Sequence, residues 1–291
     1  MTNTDKKTTF HLFRYQIVPK SQHKMNLFDR TYTPEELKAI KNRIFAEIIA
    51  TKQYFASLTR KQLYHKFIYL DGKDVFAFQL GTRKTVVLQN EEFNIKYEQN
   101  HPNVLIIIDN RPHVQKIAIS VNEEAFSSPQ VVANILQLNF NVSLDKYSLQ
   151  ISVNPILDRR DFWQLIKSYE DRITSLRFEI IKPNMTNISN SLSEGLKELV
   201  TATNSFKTRL DLNAPERATL ENLNEKNIAL AGIADYSIEG GSTEISLKVK
   251  GLRSYIKTDG TVRKVSIDEA EIKGTPDKIS TIFQKILSNG D

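Results

Sequence analysis

The run Val104, Leu105, Ile106, Ile107 and Ile108 places the strongest constraint on what this chain can fold into. Five consecutive aliphatic residues cannot alternate between core and water. A strand built from them is therefore central and covered on both faces. The run ends at Asp109-Asn110-Arg111-Pro112, a turn sequence. A central strand needs neighbours, and residues 66–121 supply them. Residues 67–70 and 75–80 flank Asp71-Gly72, a hairpin turn signal, and residues 84–88, 93–97 and 114–121 add further short strands. Residues 10–18 alternate in both parities and predict one more strand.

Helices interrupt this β-rich half. Thr33-Pro34-Glu35-Glu36 is a capping-box start, and Leu37, Ile40, Ile44 and Ile48 follow at helical spacing, which predicts a helix to about Gln53. Ser128-Pro129 opens a second helix with Val131, Val132, Ile135, Leu136 and Leu138 as its inner stripe. Residues 147–153 form a strand. Residues 161–169 form a short helix with Phe162, Leu165 and Ile166 inward and Trp163 as a packing anchor. From Asp171 the order becomes β-α-β-α-β-β. Its strands are residues 173–181 and 206–212. Its first helix starts near Ser191 with Leu192, Leu196, Leu199 and Val200 in register. Residues 218–228 are partly helical, and a glycine-punctuated meander covers residues 236–272. A last helix follows Thr275-Pro276, with Ile279, Ile282, Phe283 and Ile286 inward. The expectation is an α+β protein in two parts. Residues 1–170 form a β-rich domain with packed helices. Residues 171–291 form a ferredoxin-like or related α/β sandwich with a C-terminal β-meander.

The absence of cysteine among 291 residues removes disulfides, thiolate catalysis, iron–sulfur clusters and Cys-based zinc sites. No apolar run approaches bilayer length, and the first residues contain no apolar segment of signal-peptide length, so a cytoplasmic protein without membrane contact is expected. The 40 Lys and Arg exceed the 34 Asp and Glu, giving a net charge of +6. That balance suits an anionic partner.

The excess of positive charge has a local focus. Between Lys248 and Lys264 the chain carries Lys248, Lys250, Arg253, Lys257, Arg263 and Lys264 against Asp259 alone. Lys248 and Lys250 alternate with Leu247 and Val249, so both point to one strand face. Tyr255 shares the parity of Arg253 and Lys257. Such a face can track phosphates and stack a base. The plainer alternative is an edge hairpin guarded by lysines. Arg253 and Arg263 could also clamp a phosphorylated small molecule. Gly240-Gly241 lacks phosphate-loop spacing and reads as a turn pair.

Catalytic patterns are thin. Glu271-Ile272-Lys273 gives the acid-x-Lys element of restriction-type nucleases, with Asp259 or Asp268 as the upstream acid for Mg²⁺. His11, His23, His65, His101 and His113 are scattered, and no G-x-S-x-G elbow is present. Asp109, with His113 and Lys116 nearby, is better explained as turn chemistry. The reading is a non-catalytic intracellular nucleic-acid-binding protein without cofactor or metal. A prokaryotic nucleic-acid or phage-defence setting is compatible with it. In that reading the N-terminal domain contacts a protein partner or its own copy, and the alternative is a protein–protein interaction or assembly subunit without nucleic-acid contact. A metal-dependent nuclease ranks third.

Overall fold

A computed structural model of the protein describes residues 7–21, 25–27, 30–70, 74–268 and 276–288. The first part of the chain contains β1 (Lys7–Pro19), β2 (Met25–Leu27), β3 (Arg30–Tyr32), α1 (Pro34–Ala50), β4 (Phe55–Ala56), β5 (Gln62–Leu70), β6 (Val75–Gly81), β7 (Lys84–Gln89), β8 (Ile95–Asn100), β9 (Asn103–Asp109), β10 (Lys116–Ser120), α2 (Pro129–Leu144) and β11 (Leu149–Pro155). It continues with α3 (Arg159–Ser168), β12 (Ile173–Ile181), α4 (Thr186–Ser189), α5 (Glu194–Ala202), β13 (Lys207–Asn213), α6 (Ile228–Tyr236), β14 (Ser242–Val249), β15 (Ile256–Lys257), β16 (Lys264–Asp268) and α7 (Pro276–Ser288). The fold is α+β, and no described helix is long and apolar enough to cross a membrane.

Contacts group the chain into two interleaved units. Unit 1 comprises Met1–His11, Asn42–Ser143 and Lys264–Asp291; unit 2 comprises Leu12–Lys41 and Leu144–Arg263. Residues 1–170 and residues 171–291 of the sequence-based division are thus each shared between the units.

Unit 1 is built on β9, the aliphatic run. It lies between β6 and β10, with Ile106 opposite Phe78 on one side and Ile119 on the other. Ile106, Ile107 and Ile108 are fully buried, as a strand covered on both faces must be. The sheet runs β1-β10-β9-β6-β5-β4, and β16 pairs with residues Lys7 to His11 of β1. Phe45, Phe55, Phe78 and Phe140 pack edge-on and stacked, with ring centroids 4.9–5.9 Å apart. Phe283 and Ile286 of α7 are buried, and the buried Lys116 ammonium donates to the Leu287 carbonyl at 3.1 Å. Asp109 is fully buried and accepts from both the backbone N–H and the guanidinium of Arg111 at 3.0 Å, which is the turn chemistry expected. Among the described residues, strands β7 and β8 pair only with each other in a two-stranded ribbon.

In unit 2, residues Phe13 to Pro19 of β1 pair antiparallel with β11, and helices cover one face of a second sheet. That sheet runs β13-β12-β14-β15, all antiparallel. One face carries Leu176, Phe178 and Ile180 of β12 and Ile245, Leu247 and Val249 of β14. These are buried against Phe162 and Ile166 of α3, Ile188 of α4, and Leu230 and Ala234 of α6. Asp158 caps α3 by accepting from the Asp161 N–H at 3.0 Å, and Asn227 caps α6 by accepting from the Leu230 N–H at 3.2 Å. The capping box of α1 is closed in both directions, Thr33 N–H to Glu36 at 2.8 Å and Glu36 N–H to Thr33 at 3.1 Å.

Several expectations change. Residues 236–241 do not begin a meander. Tyr236 ends α6, and a tight turn over Ser237–Gly241 leads into β14. The apolar run Ile228–Ala231 and Gly232-Ile233-Ala234 has little amphipathic contrast to announce a helix, yet α6 packs one side into the core. Strand β15 has two residues, and β16 pairs with β1 instead of closing a hairpin on β15. Strands β12 and β13 are direct antiparallel neighbours, with no strand inserted between them as a ferredoxin-like split β-α-β unit requires. Leu138 and Leu199, assigned inward, are exposed. The Asp71-Gly72 turn and Thr275 lie outside the described residues.

Candidate nucleic-acid interface

The side of the unit 2 sheet opposite its core is polar by strand alternation. Ser175, Arg177 and Glu179 of β12 stand opposite Asn213, Asp211 and Arg209 of β13, and opposite Lys248, Ser246 and Glu244 of β14. Lys257 of β15 is opposite Ser246. Every one of these positions has the parity that the core-facing residues do not use, so the face follows directly from the pleat.

The aromatic centre of this face is Tyr255, 39 % exposed. The Arg177 guanidinium lies 5.0 Å from its ring centroid and the Lys248 ammonium 5.6 Å. Lys248 also donates to the carbonyls of Leu252 at 2.9 Å and Arg253 at 2.6 Å. It thereby shapes the turn that carries the exposed Lys250 and Arg253. Arg172 supports the same turn by donating to the Lys250 carbonyl at 3.0 Å. Gly251 takes φ +87 there, a left-handed conformation that glycine adopts without strain.

Carboxylates are interleaved with these cations. Arg177 pairs with Asp211 at 2.5 Å, Arg209 with Asp211 at 3.0 Å, Lys257 with Glu244 at 2.9 Å, and Lys207 with Glu179. The Arg177 hydrogen bond holds the Asp211 carboxyl below its ordinary range, and Lys207 does the same for Glu179. Five cations, Arg177, Lys207, Arg209, Lys248 and Lys257, stand against the three carboxylates of Glu179, Asp211 and Glu244. The face itself is therefore moderately basic, and Lys250 and Arg253 extend it along the turn.

The seven residues singled out from sequence do not all meet. Lys248, Lys250, Arg253, Tyr255 and Lys257 come together here. Arg263 instead donates to Glu239 at 3.2 Å, and Glu239 also receives Arg14 at 3.0 Å, so Arg263 belongs to an ion-pair network of mostly buried cations. Lys264 falls in unit 1. There it lines a cleft of about 960 Å³ with Lys7, His11, Glu123 and Glu124, and burial together with the Lys264 charge pushes the His11 imidazole pKa down. Sequence reasoning missed Arg177, Lys207 and Arg209. The alternation of residues 173–181 and 207–213 marks their parity, but the pairing of β12 with β13 and with β14 bridges tens of residues and has no local signature.

Among the described residues no cluster of three or more His, Asp or Glu could hold a metal ion. Glu271 and Lys273 lie outside the described residues; Asp268 pairs in β16 opposite Lys7. No protein-family model matches this chain, and no curated protein matches its sequence.

Proposed function

We propose that the protein binds nucleic acid without cleaving it, through the outer face of the β13-β12-β14-β15 sheet and the Lys250–Arg253 turn. The observation that carries this reading is the partly exposed Tyr255 flanked by Arg177 and Lys248 on the outer sheet face. A base can stack on the ring or on the Arg177 guanidinium plane, while Lys248, Lys250, Arg253 and Lys257 meet phosphates. Stacking is indifferent to base identity and electrostatic contact is indifferent to sequence, so single strands with little sequence preference are the favoured ligand. A prokaryotic nucleic-acid or phage-defence process would suit such a protein.

Fluorescence anisotropy with labelled single-stranded and duplex oligonucleotides across salt tests the reading. Wild-type affinity is expected to fall steeply with salt, because each phosphate contact releases a counterion. The variant Lys250→Glu/Arg253→Glu should bind at least tenfold more weakly and flatten the slope of log K against log salt by about 1–2. Asp211→Asn should do the opposite. It frees Arg177 and Arg209 from their shared carboxylate and strengthens binding. No binding at low salt, or equal affinity in all three proteins, contradicts the proposal.

A second reading rests on the β7–β8 ribbon of unit 1. Val87, Ile95 and Tyr97 lie on one of its faces and are exposed, and Phe93 at its tip is 82 % exposed. Its base carries Arg83 and Lys84 and its tip Glu91 and Glu92. A two-fold pairing of two ribbons would set base cations against tip carboxylates. This favours self-assembly, and the concentration dependence of mass in solution reads it directly.

A further inference from the structure

Unit 2 contains a second concentration of cations that the sheet face does not use. A cleft of about 310 Å³ opens between Val18 and Pro19 at the end of β1, the first turns of α1 at Pro34, Glu35 and Lys38, the Lys182–Asn184 segment after β12, and the end of α5 at Thr201. An adjoining cleft of about 250 Å³ shares Val18, Pro19 and Lys182 and adds Lys20 and Asn204. Lys182 therefore stands in the wall of both.

A further ammonium lies just behind this wall. Lys41 is buried, and its Nζ donates to the Ile17 carbonyl at 3.3 Å. The same carbonyl accepts from the Asn184 side-chain amide, which lines the cleft. Lys182 donates to the Asn204 side chain at 2.7 Å. Among the described residues no ion pair joins Lys38, Lys41 or Lys182 to a carboxylate, and Glu35 is the one acid on the cleft wall. Burial and the Lys38 charge push the Lys41 amine down to about 7 and lower that of Lys182. The neighbouring like charges repel one another and are matched by a single wall carboxylate, an arrangement that a bound anion relieves.

We propose that this cleft binds an oxyanion of the phosphate class, with Lys38 and Lys182 as its direct contacts, the Asn184 amide beside them, and the buried Lys41 amine behind the wall. Lysine ammoniums act as point charges that suit tetrahedral oxyanions. A phosphate monoester carries close to two negative charges at neutral pH, which balances the charges of the two lining lysines, of which Glu35 offsets only one. A volume near 310 Å³ sits at the small end of ligand sites. The phosphate could be free or could be the 5′ end of an oligonucleotide. The site is independent of the sheet face and stands or falls without it.

Inorganic phosphate added to the full chain, with chloride at matched ionic strength as control, provides the test. Phosphate a hundredfold above its dissociation constant is expected to raise Tm by roughly 5 °C. Titration calorimetry should show at least tenfold weaker binding for Lys38→Gln and for Lys182→Gln. Both side chains reach the surface, and circular dichroism checks that both variants fold. A trinucleotide with a 5′ phosphate is then compared with its 5′-hydroxyl form. Preference for the phosphorylated end makes the strand terminus the source, and equal binding makes it free phosphate; the site stands in both cases. No phosphate binding by the wild type, or unchanged binding in both variants, overturns the proposal.

Discussion

Lys41→Met is expected to make the protein more stable at pH 6 and to remove most of a pH dependence that the wild type shows. The Lys41 amine is pushed down to about 7 by burial first and by Lys38 second, against 10.5 in the unfolded chain. Below about pH 7 both states carry the proton, and the folded state bears the full cost of a buried, unpaired ammonium. Between about pH 7 and 10.5 unfolding takes up a proton, so wild-type stability rises with pH across that window. The full gap corresponds to a few kcal/mol, on the order of 4. Methionine fills similar volume without charge, but it leaves the Ile17 carbonyl with one donor fewer, a loss of about 1 kcal/mol. A net gain of about 2–3 kcal/mol at pH 6 is therefore expected in phosphate-free buffer. Urea unfolding of both proteins at pH 6 and pH 9 isolates the effect, because Lys52 and Lys182, whose amines are also lowered, contribute equally to each. The Tyr236 phenol, pushed up by burial, acts only at higher pH. Equal pH dependence in the two proteins would show that Lys41 is not held in a buried, unpaired state.

Glu239→Ala is expected to cost about 2–4 kcal/mol, again by urea unfolding. The Arg14 side chain is 3 % exposed and donates to both the backbone carbonyl of Glu239 at 2.5 Å and its carboxylate at 3.0 Å. Arg263 donates to the other carboxylate oxygen at 3.2 Å. Removing one member of a buried charge network leaves the remaining charges uncompensated, which costs more than the pair itself contributes. The carboxylate is a third exposed, which places the expected loss below the upper range for fully buried pairs. Glu239→Gln keeps the shape and one acceptor and should lose about half as much. The same turn explains why glycine follows. Gly240 has φ +85, and a Cβ there would lie 2.5 Å from the Arg14 Cβ. Tyr236 closes the base of the turn by donating to the Ile181 carbonyl at 2.8 Å.

Much of this architecture can be read before any coordinates. The aliphatic run at Val104–Ile108, the Thr33 capping box, and the alternation in residues 173–181 each state a local rule, and the structure obeys each. What cannot be read is pairing at long range. Nothing near Lys264 indicates that it will join β1 in unit 1 while Arg263, one residue earlier, turns to Glu239 in unit 2. Alternation marks Arg177 as outward, yet its position beside Tyr255 depends on β12 pairing with β14. The apolar stretch of α6 has so little polar contrast between its faces that its helical period does not show in the sequence. Exposed Leu138 and Leu199 show the converse limit, since a helical stripe marks a face and not its edges. The basic cluster was therefore legible as charge and only partly as a site.

The position of the bound strand is the most direct test of the proposed interface. Ultraviolet cross-linking of the protein to a single-stranded oligonucleotide, followed by peptide mass spectrometry, should place the main adduct on the peptide containing Tyr255, with loss of that adduct in Tyr255→Leu. Adducts confined to segments of unit 1, with the Tyr255 peptide unmodified under conditions of salt-sensitive binding, would contradict the assignment of the sheet face.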